Sequence, residues 1–195
     1  MIGSHIKRLT TIVAAIICTA CQAAPTSFVS RYVPDPGVQE QLLQLDDVIL
    51  EVEAFDVDSG AYVKIQCEGE PIRFPHADSF AEYIRDAIET ELLLAGKYEQ
   101  GVPVVLSGTV KQLEFKIDGR LASGAIGGTW IIDIELRSSN GQSLRAKSGI
   151  AYRTGFEVVS CPEAARAFMP AVQKLIRTAV TQQQFRSLTR MNSAG

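Results

Sequence analysis

The chain has 195 residues, a net charge of −3, 46% apolar residues and four cysteines. That length and apolar share suit one domain able to bury a core. The acidic balance excludes the basic face that nucleic acid requires, and electrostatic adhesion to anionic lipid headgroups.

Lys7 and Arg8 precede an apolar run from Leu9 to Ala20, which ends on the small residues Thr19 and Ala20 before Cys21. A basic start, an apolar middle and a small-residue cleavage site are the layout of a secretory signal peptide. A Cys directly after that site resembles the lipobox of bacterial lipoproteins, with Cys18 standing where that pattern prefers Leu. The resemblance implies cleavage after Ala20 and acylation of Cys21, so that residues 1–20 are a signal peptide and the membrane is a partner through the lipid, a palmitate-type anchor. Gln22 follows Cys21, whereas the inner-membrane retention signal of enterobacterial lipoproteins is Asp; the implied location is the periplasmic side of the outer membrane. The alternative is an ordinary signal peptide cut near Ala23 or Ala24. The apolar run is well short of the ~20 residues that span a bilayer. Losing Lys7 and Arg8 takes the net charge from −3 to −5. Cys67 and Cys161 then remain, in an oxidising compartment, and are expected to pair; two buried free thiols are the alternative.

In chain order, residues 21–45 read as the lipidated Cys and a tether, proline-bearing to Val38 and helical or irregular from Gln39. The domain is expected over 46–188. Val48–Phe55 reads as a strand with Leu50, Val52 and Ala54 on one side and Glu51 and Glu53 on the other. Asp58–Ser59–Gly60 supplies turn residues, and Tyr62–Cys67 reads as a second strand. Ser79 and Glu82 form a capping box that opens a helix, with an apolar stripe from Phe80 through Ile84 and Ile88, only Glu91 off pattern, and Gly96 as its stop. Val104–Ile117 reads as a strand bulged near Gly108, residues 119–128 as a glycine-rich turn, and Thr129–Arg137 as a strand. Asn140–Gly141 predicts a two-residue type I′ hairpin into a returning strand at Leu144–Thr154, which completes an antiparallel meander. Ser160 and Glu163 open a last helix, with Phe168, Val172 and Leu175 on its apolar face and Pro170 expected to kink or restart it. The chain from Gln182 onward, and the tail at 189–195, are expected to fray.

Chemical motifs are few. Once residues 1–20 are gone, His76 is the sole histidine, and a Ser–His–Asp hydrolase would have to use it. Clustered Cys and His for a metal are lacking, and no cofactor is implied. Asp56–Gly60 lacks the ligands of a calcium loop. Gly124, Gly127 and Gly128 match no phosphate-binding motif. The carboxylates of Asp46, Asp47, Glu51, Glu53, Asp56 and Asp58 read as a solvated acidic edge or a docking face for a basic partner.

The segments FAEYIRDAIETELLLAGKY and PVVLSGTVKQLEF, followed by GTWIIDIELRSSNGQSL and SCPEAARAFMPAVQKLI, resemble small, mostly uncharacterised bacterial lipoproteins. Their domain is similar to the amino-terminal module of TolB and to penicillin-binding-protein activator lipoproteins. The resemblance covers roughly residues 46–180 and implies an α+β periplasmic domain: a mixed or antiparallel sheet with two helices on one face. On this reading Trp130, Ile132 and Ile134 face the helices, while Glu51, Glu53, Asp133 and Glu135 form a wet face on which an envelope protein docks, in part by strand addition. The expected function is a non-catalytic envelope interaction module. The alternatives are an accessory of lipid or solute transport that binds an apolar ligand between helices and sheet, and a hydrolase built on His76.

Overall fold

The computed structural model describes residues 27–45, 48–120, 126–153 and 159–190. Its elements are α1 (Pro36–Leu43), β1 (Glu51–Ile65), α2 (Phe80–Leu94), β2 (Val105–Arg120), β3 (Ile126–Ser138), β4 (Ser143–Arg153), α3 (Cys161–Val180) and α4 (Gln183–Leu188). The strands form one mixed sheet in the order β1-β2-β3-β4: β1 and β2 run parallel, and the other two pairs are antiparallel. This is the α+β class, with α2 and α3 covering one face. Phe80 of α2 lies 5.0 Å from Phe168 of α3, and Phe168 lies 4.9 Å from Trp130 of β3, centroid to centroid. Trp130 and Phe168 are fully buried, and the Trp130 indole N–H donates to the Ala164 carbonyl at 2.9 Å.

The helix signals act as read, with changes of detail. Ser79 Oγ accepts the Glu82 N–H at 3.1 Å, but Glu82 reaches back to the Asp78 N–H at 2.6 Å, one residue earlier than in a closed capping box. Gly96, at φ +66°, ends α2. At α3, Glu163 accepts both the N–H and the hydroxyl of Ser160 at 3.0 Å. Pro170 does not break this helix, which runs unbroken from Cys161 to Val180. Packing of its long apolar face, including Phe168, Val172 and Leu175, outweighs one lost backbone hydrogen bond.

The expected hairpin at Asp58–Gly60 is replaced by one long strand. Both flanks pair with β2, and Asp58 to Ala61 bulge out opposite Lys111 alone. A second irregularity between Val52 and Phe55 shifts the phase, so Phe55 rather than Ala54 turns inward. Phe55 explains Gly108, where a Cβ would lie 2.2 Å from its ring; the bulge of β2 falls at Lys111 instead. The β3–β4 turn also differs. Gly141 has φ +84°, while no non-glycine residue has positive φ among the described residues, so Asn140 does not take the type I′ conformation. Gly141 N–H bonds the Ser138 carbonyl at 2.9 Å in a longer turn, and the Asn140 amide donates to the carbonyls of Ser187, Leu188 and Arg190. That contact ties the chain beyond Gln182, expected to fray, to the β3–β4 turn. Gln183–Leu188 is a helix with Phe185 and Leu188 buried. Residues 191–195 lie outside the described residues.

The tether expected over 21–45 is largely part of the domain. Val29, Val38 and Leu42 are buried, and α1 packs on α2 and α3. Val29 N–H donates to the Arg73 carbonyl and Arg73 N–H to the Ser27 carbonyl, each at 2.9 Å. Glu91, the residue off the helical stripe, is the reason. It is 1% exposed and accepts from the Tyr32 hydroxyl at 2.6 Å, the Asp35 N–H at 2.7 Å and the Gln39 amide. Asp35 in turn caps α1 through the Gly37 N–H at 2.8 Å and pairs with Arg177 of α3 at 2.6 Å. The described residues from Ser27 to Leu45 therefore pack as part of the domain that was expected to begin at residue 46.

Candidate functional site

Cys21, the expected lipidation site, lies outside the described residues, as do Asp46 and Asp47. Cys67 and Cys161 are joined as a disulfide, with Cα atoms 4.9 Å apart. A parallel bridge between Glu68 and Ser160 brings the two strand–helix junctions together beside it.

The expected acidic docking face is not assembled. Asp133 is 2% exposed, because Arg145 on the neighbouring strand folds over it with two bonds of 2.9 Å. Glu135 is half-buried between Arg137 at 3.1 Å and Lys111 at 3.3 Å. Lys111 also holds Asp58 at 2.6 Å, and Lys147 donates to Gln112 at 2.8 Å. The hydrogen bond from Arg137 holds the Glu135 carboxyl below the usual range, that from Lys111 does the same for Asp58, and Asp58 raises Lys111. Glu51 accepts the Gly101 N–H at 2.9 Å, while Glu53 stays exposed at the start of β1. Cross-strand register explains the outcome: Asp133 stands opposite Gln112 and Lys147, and Glu135 opposite Thr109 and Arg145, so each acid meets a base or an amide.

His76 is exposed on the loop before α2 and lines a polar groove of about 630 Å³ with Tyr32, Tyr83, Asp86 and Glu89. Arg85, not His76, holds those carboxylates: it pairs with Asp86, and with Glu89 at 3.1 Å. Among the described residues His76 bonds neither a serine nor a carboxylate, so the arrangement a hydrolytic triad needs is not formed.

A site the sequence reading did not single out lies on the helix side of the sheet. On either side of its bulge, β1 sets Val57 opposite Val110 and Val63 opposite Leu113, with Val110 and Leu113 buried in the core. Helix α2 begins only at Phe80, so the loop before it, rather than a helix, flanks this part of the sheet. Phe74 of that loop packs edge-on against Phe80 with centroids 4.6 Å apart. The result is an open groove of about 510 Å³, walled by Val57, Val63, Ile72, Phe74 and Phe80, with Arg73 and Asp78 among its polar residues. Val57 and Val63 are 47% and 52% exposed. Two apolar residues in a proline-bounded loop, Ile72 and Phe74, were the signal available for it.

No family model matches the chain, and no curated protein matches it. Among solved structures it is similar to protein XCC0632 from Xanthomonas campestris, which carries the family model DUF330: identity is 13% over 84% of this chain and 94% of that one, with a TM-score of 0.48. It is also similar to a putative neuraminyllactose-binding hemagglutinin homolog from Helicobacter pylori, at 12% identity over 77% and 86% of the two chains and a TM-score of 0.36. Likenesses this distant carry no functional argument.

Proposed function

We propose that the chain is a lipid-anchored, non-catalytic binding module of the cell envelope. Cys21 holds it to the periplasmic side of the outer membrane, and the groove between β1 and the 72–80 loop is its binding surface. The observation that carries this reading is the groove itself. The core is packed elsewhere, with Trp130, Phe115, Phe168 and Phe185 closed off, yet Val57 and Val63 stay half-exposed on the same side of the sheet. Apolar surface left open beside a finished core marks a place where something docks. The Cys67–Cys161 bridge supports an oxidising compartment.

Fractionation and mass spectrometry test the anchor. The Cys21 peptide should carry acyl mass and the protein should sediment with outer membranes. A soluble periplasmic pool with an unmodified Cys21 peptide would refute it. The earlier alternative, an accessory of lipid or solute transport that binds an apolar ligand, is favoured over a protein-docking acidic face, because the groove is apolar and Asp133 and Glu135 are already paired with bases of the sheet.

A further inference from the structure

The position of the groove relative to the anchor is informative. The six residue-to-residue steps from Cys21 to Ser27 span at most ~22 Å in any conformation. Ser27 is 3% exposed, and its carbonyl accepts the N–H of Arg73, a residue of the groove. An acylated Cys21 therefore keeps the groove close to the bilayer surface. Phe28, next to Ser27 and bridged to Arg73, is 43% exposed on the same part of the molecule.

We infer that the groove takes one acyl chain of a glycerophospholipid from the membrane to which the protein is anchored. Val57, Val63, Ile72, Phe74 and Phe80 offer the chain an apolar trough of about 510 Å³, within the ~300–1,000 Å³ of small-molecule sites. Arg73 and Asp78 supply one positive and one negative group for a headgroup that is itself zwitterionic. The acylated chain, whose net charge falls from −3 to −5 with the loss of Lys7 and Arg8, has no general attraction for anionic bilayers, so the contact depends on apolar burial and persists in salt. The inference rests on the anchor reading for its geometry.

The test uses the full chain, purified in detergent and placed in vesicles of phosphatidylethanolamine doped with a phospholipid that bears a photoreactive group in its acyl chain. Cross-links should concentrate on peptides containing Val63, Phe74 and Phe80, and should be unchanged at high salt. Val63→Asp should lower groove cross-linking at least tenfold; Val57→Asp is the second variant if the first does not fold. Retention of a cooperative thermal transition and of the emission of Trp130, which lies 6.0 Å from Phe80, reports folding. Cross-links spread evenly over the surface, or unaffected in folded variants, would overturn the inference. An unmodified Cys21 peptide together with groove cross-links would overturn the anchor alone.

Discussion

Replacing Glu91 with Leu should detach the N-terminal segment from the domain while leaving the sheet intact. Glu91 is 1% exposed and accepts three hydrogen bonds, from Tyr32, Asp35 and Gln39. A leucine of similar bulk leaves those donors without a partner. The Asp35 N–H is buried, and an unsatisfied buried donor costs about 1–3 kcal/mol; the Tyr32 hydroxyl adds about 1 kcal/mol, while Gln39 can turn to water. The total is about 3 kcal/mol, a sizeable share of the ~5–15 kcal/mol that holds a domain together. For a chain of this size it lowers the melting temperature by roughly 6–12 °C. Hydrogen exchange should show where the loss falls: amides of residues 29–43 lose protection, while those of β2 and β3 retain theirs at moderate temperature. A melting temperature within about 1 °C of the parent, or unchanged exchange over 29–43, would show that apolar packing of Val38 and Leu42 alone holds the segment.

Tyr32 and Tyr83 are pushed well above the ordinary phenol range, chiefly by burial and, for Tyr32, also by the bond to Glu91. Of the five tyrosines, two should therefore fail to ionise in an ultraviolet titration until alkali unfolds the chain; five titrating together would contradict this. Asp58 and Glu135 are lowered and Lys111 is raised. The carboxylates thus contribute above their unfolded pKa of about 4 and lose that contribution as pH falls through their folded values, whereas Lys111 contributes below about 10.4 and loses it as pH rises through its folded value. In Lys111→Met the carboxyl midpoints of Asp58 and Glu135 should rise in NMR titrations, Asp58 the more. Gly108→Ala places a Cβ against the Phe55 ring and should destabilise by about 1–3 kcal/mol in denaturant unfolding, with partial recovery when Phe55→Leu is added; an additive double variant would disprove the contact.

Much of the fold is legible locally. The stripe and cap of α2, the alternation of β3 around Trp130 and the turn at Asn140–Gly141 are short-range patterns, and the structure keeps each within a few residues. The two-cysteine count sufficed for the disulfide. What local reading missed depends on distant partners. Glu91 is an outlier on its helix until Tyr32, Asp35 and Gln39 arrive from more than fifty residues away. Asp133 reads as solvent-facing by alternation and does point away from the helices, but Arg145 covers it. Asp58–Ser59–Gly60 has turn chemistry, and only the shared partner β2 shows that its flanks form one strand. The groove shared this obstacle, since its walls come from β1, β2 and the loop before α2.

The parallel pairing of β1 with β2 has a kinetic consequence. The β2–β3 and β3–β4 hairpins close between chain neighbours, events of roughly 1–10 μs, whereas β1 can join only after the stretch through α2 has folded back across the sheet. The strand carrying Val57 and Val63 should thus be the last to arrive and the first to leave. Cys67 lies two residues beyond its end, and Cys161 opens α3, 94 residues later in the chain. An oxidised chain begins refolding with the end of β1 already beside α3 and has a shorter search to make. A reduced chain must find that pairing unaided, and its slow phase measures how much of the search the bridge removes.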